Sequence, residues 1–132
     1  MINLILVSHG SFAAGIREAA EMIFGVQENL EVFGVFPGDT VDAFSAKIEK
    51  AIEHFGDPKN TLILSDLIGG TPSNTAMMMA LKHGVNVLSG LNLPMLIEVL
   101  SLREEAGIEE VAEQAAKVGR EGIVCAAELM NA

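Results

Sequence analysis

A parallel α/β sheet covered by helices on both faces is the fold class predicted for this chain, and three observations predict it. Strand-like and helix-like segments alternate along the whole length. The strand-like segments are continuously apolar rather than alternating, the pattern of a strand buried on both sides. The helical segments begin and end on residues suited to capping. With 132 residues the chain reads as one domain, residues 1–132, built on a doubly wound, mainly parallel sheet of about four strands.

The first strand is expected over 2–8, Ile2-Asn3-Leu4-Ile5-Leu6-Val7-Ser8, and it runs into His9-Gly10-Ser11. A helix over 12–24 and a second Val/Phe-rich strand over 30–36 follow. The next helix, 41–55, shows the 3.6-residue period most clearly. Val41, Phe44, Ile48, Ile52 and Phe55 share one face, Asp39 or Thr40 is available as N-cap, and Gly56 ends it. A third strand over 61–66 ends in Asp66 and is followed by Gly69-Gly70-Thr71-Pro72. There Thr71 is placed as the cap and Pro72 at the first position of a helix over 72–82 that stops at Gly84. A fourth strand at 85–88 and helices near 95–105 and 108–118 complete the alternation, with Asn92-Leu93-Pro94-Met95 as a further wall or a helix start. The last apolar segment, 122–127, is a candidate fifth strand.

Composition narrows the function. A formal charge of −10 and the absence of Trp and Tyr argue against nucleic acid, which calls for clustered cations and stacking rings. The same acidity favours a partner protein with a basic face. No apolar stretch approaches the roughly 20 residues of a membrane span, and the first residues lack the basic flank and cleavage site of a signal peptide. One cysteine, Cys125, has no partner for an internal disulfide and is assigned to the core. These features predict a soluble cytoplasmic protein without direct membrane insertion.

In an open parallel sheet, ligands bind beyond the carboxyl ends of the strands. His9 and Asp66 both fall there by register. A neutral imidazole is a good nucleophile toward phosphorus, and an unperturbed pKa of about 6.5 leaves most of it neutral at cytoplasmic pH. A carboxylate on one ring nitrogen fixes the tautomer and stabilises the positive charge that develops. Gly10, Ser11, Gly69, Gly70 and Thr71 are the candidate phosphoryl-binding residues, through amides, a hydroxyl and a helix N-terminus. His54 and His83, near helix ends, read as structural. Met77-Met78-Met79 reads as helix packing. No cofactor and no metal site is expected.

At these residues the chain resembles the mannose-family enzyme IIA domains of the bacterial phosphoenolpyruvate:sugar phosphotransferase system. The resemblance rests on Val7-Ser8-His9-Gly10, on the run from Ser65 to Asn74, on Gly90 to Glu98, and on Gly119-Arg120-Glu121-Gly122. It implies that His9 accepts a phosphoryl group on Nε2 from the phosphocarrier HPr, with Nδ1 facing Asp66. The group then passes to a histidine of enzyme IIB, which serves the membrane permease subunits of sugar uptake. It also implies a homodimer in which the C-terminal strand pairs with the partner's sheet. Some relatives carry a hydroxyl residue directly after the aspartate, whereas this chain has Leu67, so Thr71 and the turn amides must do more.

Other readings share part of the pattern. The phosphotransfer subunit that feeds dihydroxyacetone kinase is similar in fold and chemistry, but its histidine and aspartate loops differ. Histidine phosphatases open with Arg-His-Gly, where this chain has Ser8. Small tetrapyrrole chelatases need metal ligands converging from strand ends, where His54 and His83 do not fall. A regulatory sensor read by its phosphorylation state would use the same His9 chemistry.

Overall fold

The structure is a computed structural model that describes residues 1–131. Four strands, β1 (Asn3–His9), β2 (Leu30–Val35), β3 (Thr61–Ser65) and β4 (Asn86–Ser89), form one sheet in the order β2-β1-β3-β4. Every pairing is parallel: Leu6 lies opposite Val32 on one side and Leu64 on the other, and Leu64 lies opposite Leu88.

The pleat explains why the strands read as unbroken apolar runs. Leu4 and Leu6 of β1, with Leu62 and Leu64 of β3, face one core. That core is closed by α1 (Phe12–Phe24), α4 (Leu93–Leu102) and α5 (Ile108–Glu121). Ile5, Val7 and Ile63 face the other, beneath α2 (Val41–Phe55) and α3 (Thr71–His83). Both faces are therefore covered, as two-sided burial requires. Phe44, Ile48 and Ile52 of α2 are the buried residues of its stripe.

Connectivity then sets where the site lies. The chain leaves β1 into α1 on one face and leaves β3 into α3 on the opposite face. Because β1 and β3 are neighbours, their outgoing segments diverge and open a crevice at the carboxyl edge.

Local chemistry accounts for the element ends. Thr40, not Asp39, caps α2, its hydroxyl accepting from the Ala43 amide at 3.1 Å, while Asp39 accepts from the Phe36 amide at 2.8 Å. Helix α3 starts one residue earlier than expected, with Gly70 as N-cap and Thr71 already helical. No side chain caps this helix, so Thr71 does not have the expected role; Ser73 braces the turn instead, accepting from the Gly69 amide and donating to the Gly70 carbonyl at 3.2 Å. Asn92 caps α4 through the Met95 amide and donates to the Gly119 carbonyl, so that segment is a helix start braced on α5.

Three expectations are corrected. Segment 122–127 is not a strand in the single chain: α5 runs on to Glu121, and α6 (Ala126–Met130) is a short helix with no buried residue. Cys125 is exposed rather than core. Of the three methionines on α3 only Met79 is buried; Met77 and Met78 lie on the solvent side.

The amino edge of the sheet is held by a buried cation. Arg103, just past α4, is 2% exposed. Its Nε and Nη2 donate to the Ile2 carbonyl at 3.0 and 2.7 Å, and Nη2 also donates to the Asn29 carbonyl at 2.8 Å. Nη1 reaches the Gln27 side chain at 3.2 Å. Asn29 itself sits at a φ of 51°, which an asparagine tolerates well. Burial lowers the guanidinium pKa to about 10, with Glu104 opposing, so the group stays charged at neutral pH. Arg103→Met should strip the Ile2 carbonyl of its guanidinium donors and leave the Asn29 carbonyl with only the Leu4 amide, destabilising the protein by about 3 kcal/mol. Urea unfolding measures this, and an unchanged midpoint would contradict the assignment.

Candidate active site

His9 is the last residue of β1 and the point at which that strand emerges from the core. Residues Ile2 to Ser8 are buried, and the His9 side chain is 53% exposed. The turn after it is built from small residues. Gly10 adopts a φ of 54°, and its amide donates to the Val35 carbonyl at 2.7 Å. Gly34 on the neighbouring strand makes room for this turn, since a Cβ there would fall 2.0 Å from the Gly10 carbonyl oxygen.

The hydroxyl of buried Ser8 accepts from the Ala13 amide at 2.8 Å and so caps α1 from inside the strand. Ser11, the formal N-cap, makes no side-chain cap bond, which leaves its hydroxyl unused by the helix. Sequence reasoning missed both Ser8 and Gly34. The available signal for Ser8 was a polar residue ending a wholly apolar strand; Gly34 carried none.

Asp66 follows β3 directly, and its amide continues the ladder to the Val7 carbonyl at 3.2 Å. Its carboxylate is only 11% exposed and turns toward β1. Oδ2 lies 2.7 Å from His9 Nδ1 and also accepts from the His9 main-chain amide at 2.9 Å. Oδ1 accepts from the Leu67 amide at 2.8 Å. Burial by itself would raise this carboxyl, but the hydrogen bonds from the His9 amide and ring, that from the Leu67 amide, and the charge interaction with His9 outweigh it. They hold Asp66 below its ordinary 3.8. With Asp66 ionised, Nδ1 is the protonated ring nitrogen in a neutral His9, which leaves the lone pair on Nε2.

The loop after Asp66 brings the remaining residues alongside. Gly70 abuts the His9 ring, and Gly69 and Thr71 flank it in the chain. Two of the five expected phosphoryl-binding residues have their amides engaged elsewhere. The Gly69 amide donates to Ser73 Oγ at 2.9 Å and the Gly10 amide to Val35, as described. Gly69 instead supplies conformation, at a φ of 94°. The amides of Gly70 and Thr71 have no acceptor among the described residues, and they stand at the start of α3. Leu67 points its side chain to solvent and contributes only its main chain to the carboxylate.

His54 lies on α2 beside Phe55, and His83 contacts Glu49 at 2.6 Å; neither sits at the carboxyl edge. Among the described residues, no group of three or more His, Cys, Asp or Glu is arranged to hold a metal ion.

Residues 3–116 match the EIIA-man family model, described as the PTS system fructose IIA component. The fructose-specific EIIA component of Bacillus subtilis is 35% identical over 112 residues, covering 84% of this chain and 77% of that protein. The mannose-specific EIIAB component of Escherichia coli K12 is 32% identical over 92% of this chain, which spans only 38% of that longer protein. A solved EIIA structure from Streptococcus agalactiae superposes with a TM-score of 0.90 at 31% identity, covering 97% of this chain and 99% of that one.

The depressed Asp66 pKa has a sign that can be checked. The fold favours the carboxylate, so its contribution to stability is complete above the ordinary value and fades as pH falls through the lower folded value. The stability difference between the wild type and Asp66→Asn should therefore shrink as pH drops below about 4. A difference that stays constant from neutral pH into that range would refute the linkage.

Proposed function

Because the chain belongs to the mannose-family EIIA branch of the phosphotransferase system, whose members relay phosphoryl groups through a phosphohistidine, we propose that His9 is the residue that carries the group here. One observation carries the assignment: a half-exposed imidazole whose Nδ1 is held at 2.7 Å by a nearly buried carboxylate, at the crevice between β1 and β3.

The chemistry balances without moving a proton. The Nε2 lone pair attacks the phosphorus of a donor phosphohistidine as the donor's N–P bond breaks. A donor ring protonated on its other nitrogen leaves as neutral imidazole. His9 then bears PO₃ on Nε2 and keeps its Nδ1 proton, and the resulting ring charge is stabilised by Asp66. Passage to the next carrier is the same exchange in reverse. The phosphoryl oxygens meet the free amides of Gly70 and Thr71 and the hydroxyls of Thr71 and Ser11, with the N-terminus of α3 contributing its dipole.

The partners in this reading are HPr as donor and enzyme IIB as acceptor, with the membrane permease reached indirectly and the chain acting in the cytoplasm. Phe12, Phe36, Leu67 and Ile68, which follow the carboxyl ends of three strands, are each 47% exposed or more and supply an apolar rim for such visitors. The chain's charge of −10 suits partners with a basic face. Among the described residues no helix is long and apolar enough to cross a membrane.

The reading extends to a homodimer with exchanged C-terminal strands. Two features support it. Residues 121–131 are exposed throughout, including Ile123, Val124, Leu129 and Met130, so this apolar segment is left largely uncovered in the single chain. Met77, Met78 and Leu81 leave a second apolar stripe uncovered on α3, and β4 ends the sheet with an open edge.

Supplied with phosphoenolpyruvate, enzyme I and HPr, the protein should acquire acid-labile phosphate, and His9→Gln should abolish it. Labelling that survives this change would refute the assignment. Asp66→Ala should slow labelling on the order of a hundredfold without unfolding the chain, and unchanged rates would count against the carboxylate. Removing residues 123–132 should convert a dimer to a monomer in a light-scattering measurement; a truncated protein that still dimerises would exclude the exchange.

A further inference from the structure

The His9 ring is bracketed on two edges. Asp66 takes the Nδ1 side; the Cε1–Nε2 edge faces the bare main chain of Gly70. A Cβ added at Gly70 would lie 2.6 Å from His9 Cε1 and 3.0 Å from Nε2, well inside the roughly 3.5 Å at which carbon atoms sit comfortably. The backbone at Gly70 is extended, with φ −97° and ψ 173°, a conformation open to any L-residue. Glycine is therefore demanded at this position by the ring alone. Its neighbour Gly69 is different, because its φ of 94° demands glycine whatever lies nearby.

We propose that Gly70 is a positioning residue: its missing side chain seats the His9 imidazole against Asp66 and keeps Nε2 clear for an incoming phosphoryl group. The surrounding contacts decide what would give way if a side chain were present. The loop is tied down, with the Gly70 carbonyl accepting from the Asn74 amide at 2.9 Å and from Ser73 Oγ at 3.2 Å, while that hydroxyl also accepts from Gly69. Pro72 Cδ stands 3.7 Å behind the same point. The imidazole, by contrast, is half exposed and turns about two single bonds. A methyl group at position 70 displaces the ring rather than the loop, and the Nδ1 contact to Asp66 is lost.

The kinetic half of this proposal rests on His9 being the phosphoryl carrier; the geometric half does not. Gly70→Ala is tested in the full chain by ¹⁵N NMR of the histidine ring and by phosphoryl transfer from phospho-HPr. The ring spectrum should lose the signature of a protonated Nδ1 bonded to carboxylate. The maximal transfer rate should fall about a hundredfold, the scale expected for a reacting group displaced by about 1 Å, with little change in KM for the donor. Removing the ring should remove the conflict, so Gly70→Ala should lower the unfolding midpoint in the wild type and leave it unchanged in a His9→Ala background. If the single variant does not fold, refolding of the double variant supports the proposal and its failure to fold overturns it. An unaltered ring spectrum, or an equal stability loss in both backgrounds, also overturns it. A wild type that accepts no phosphoryl group, yet shows the ring displacement on substitution, would sink the carrier assignment and leave the positioning role standing.

Discussion

The site depends on one carboxylate oxygen shared between two donors of the same residue. Asp66 Oδ2 holds both the ring Nδ1 and the main-chain amide of His9. The amide contact anchors the carboxylate to β1 in every rotamer of the histidine, because the backbone of a buried strand does not move. The ring contact then selects one tautomer and one orientation from those available to a half-exposed imidazole. With Oδ1 committed to the Leu67 amide, the carboxylate has no alternative pose that satisfies its oxygens as well. A flexible side chain is thus registered against the sheet itself.

The parallel sheet also accounts for how much could be read in advance. The strands and helices were legible because two-sided burial writes unbroken apolar runs and amphipathic helices write a 3.6-residue stripe, as in α2. His9 and Asp66 stood out because each ends such a run. The finer parts of the loops were not legible, since they turn on which of several equivalent hydroxyls accepts a given amide. Gly70 rather than Thr71 stands at the start of α3, with Ser73 accepting from the Gly69 amide before it, and Ser8 rather than Ser11 caps α1. A hydroxyl two or three residues away along the chain produces the same local pattern. Arg103 was invisible for another reason: a cation satisfied by carbonyls of residues far away in sequence leaves no local trace. The terminal segment was apolar enough to suggest a strand, but it does not pair with the sheet of its own chain and ends instead in the short helix α6.

An acidic protein that handles an anionic group would ordinarily face a conflict of charge. Here the conflict is eased by local means. Three of the eight cations are committed elsewhere, Arg103 to the amino edge, Lys82 to Glu49 and Arg17 to Glu21. What the crevice offers is unpaired amides and the start of a helix. In the proposed reading such a cradle would accept a dianion through dipoles fixed at folding, adding no positive charge to hold the phosphoryl group too firmly for onward transfer. Net charge remains free to steer basic partners.

The guanidinium staple at the far edge has a consequence for how the molecule breathes. With Ile2, Asn29 and Gln27 gathered on one interior side chain, the amino rim of the sheet is bolted together by a single group, whereas the carboxyl rim is fastened by separate bonds from each turn, Gly10 to Val35, Asp66 to Val7, and Gly90 and Leu91 to Ser65. Local opening is expected least at the amino rim, where parting the strands would strip a buried guanidinium of its partners. Under the proposed function, visitors meet only exposed side chains of the opposite rim, and the strand pairing that keeps histidine and aspartate in step is left undisturbed.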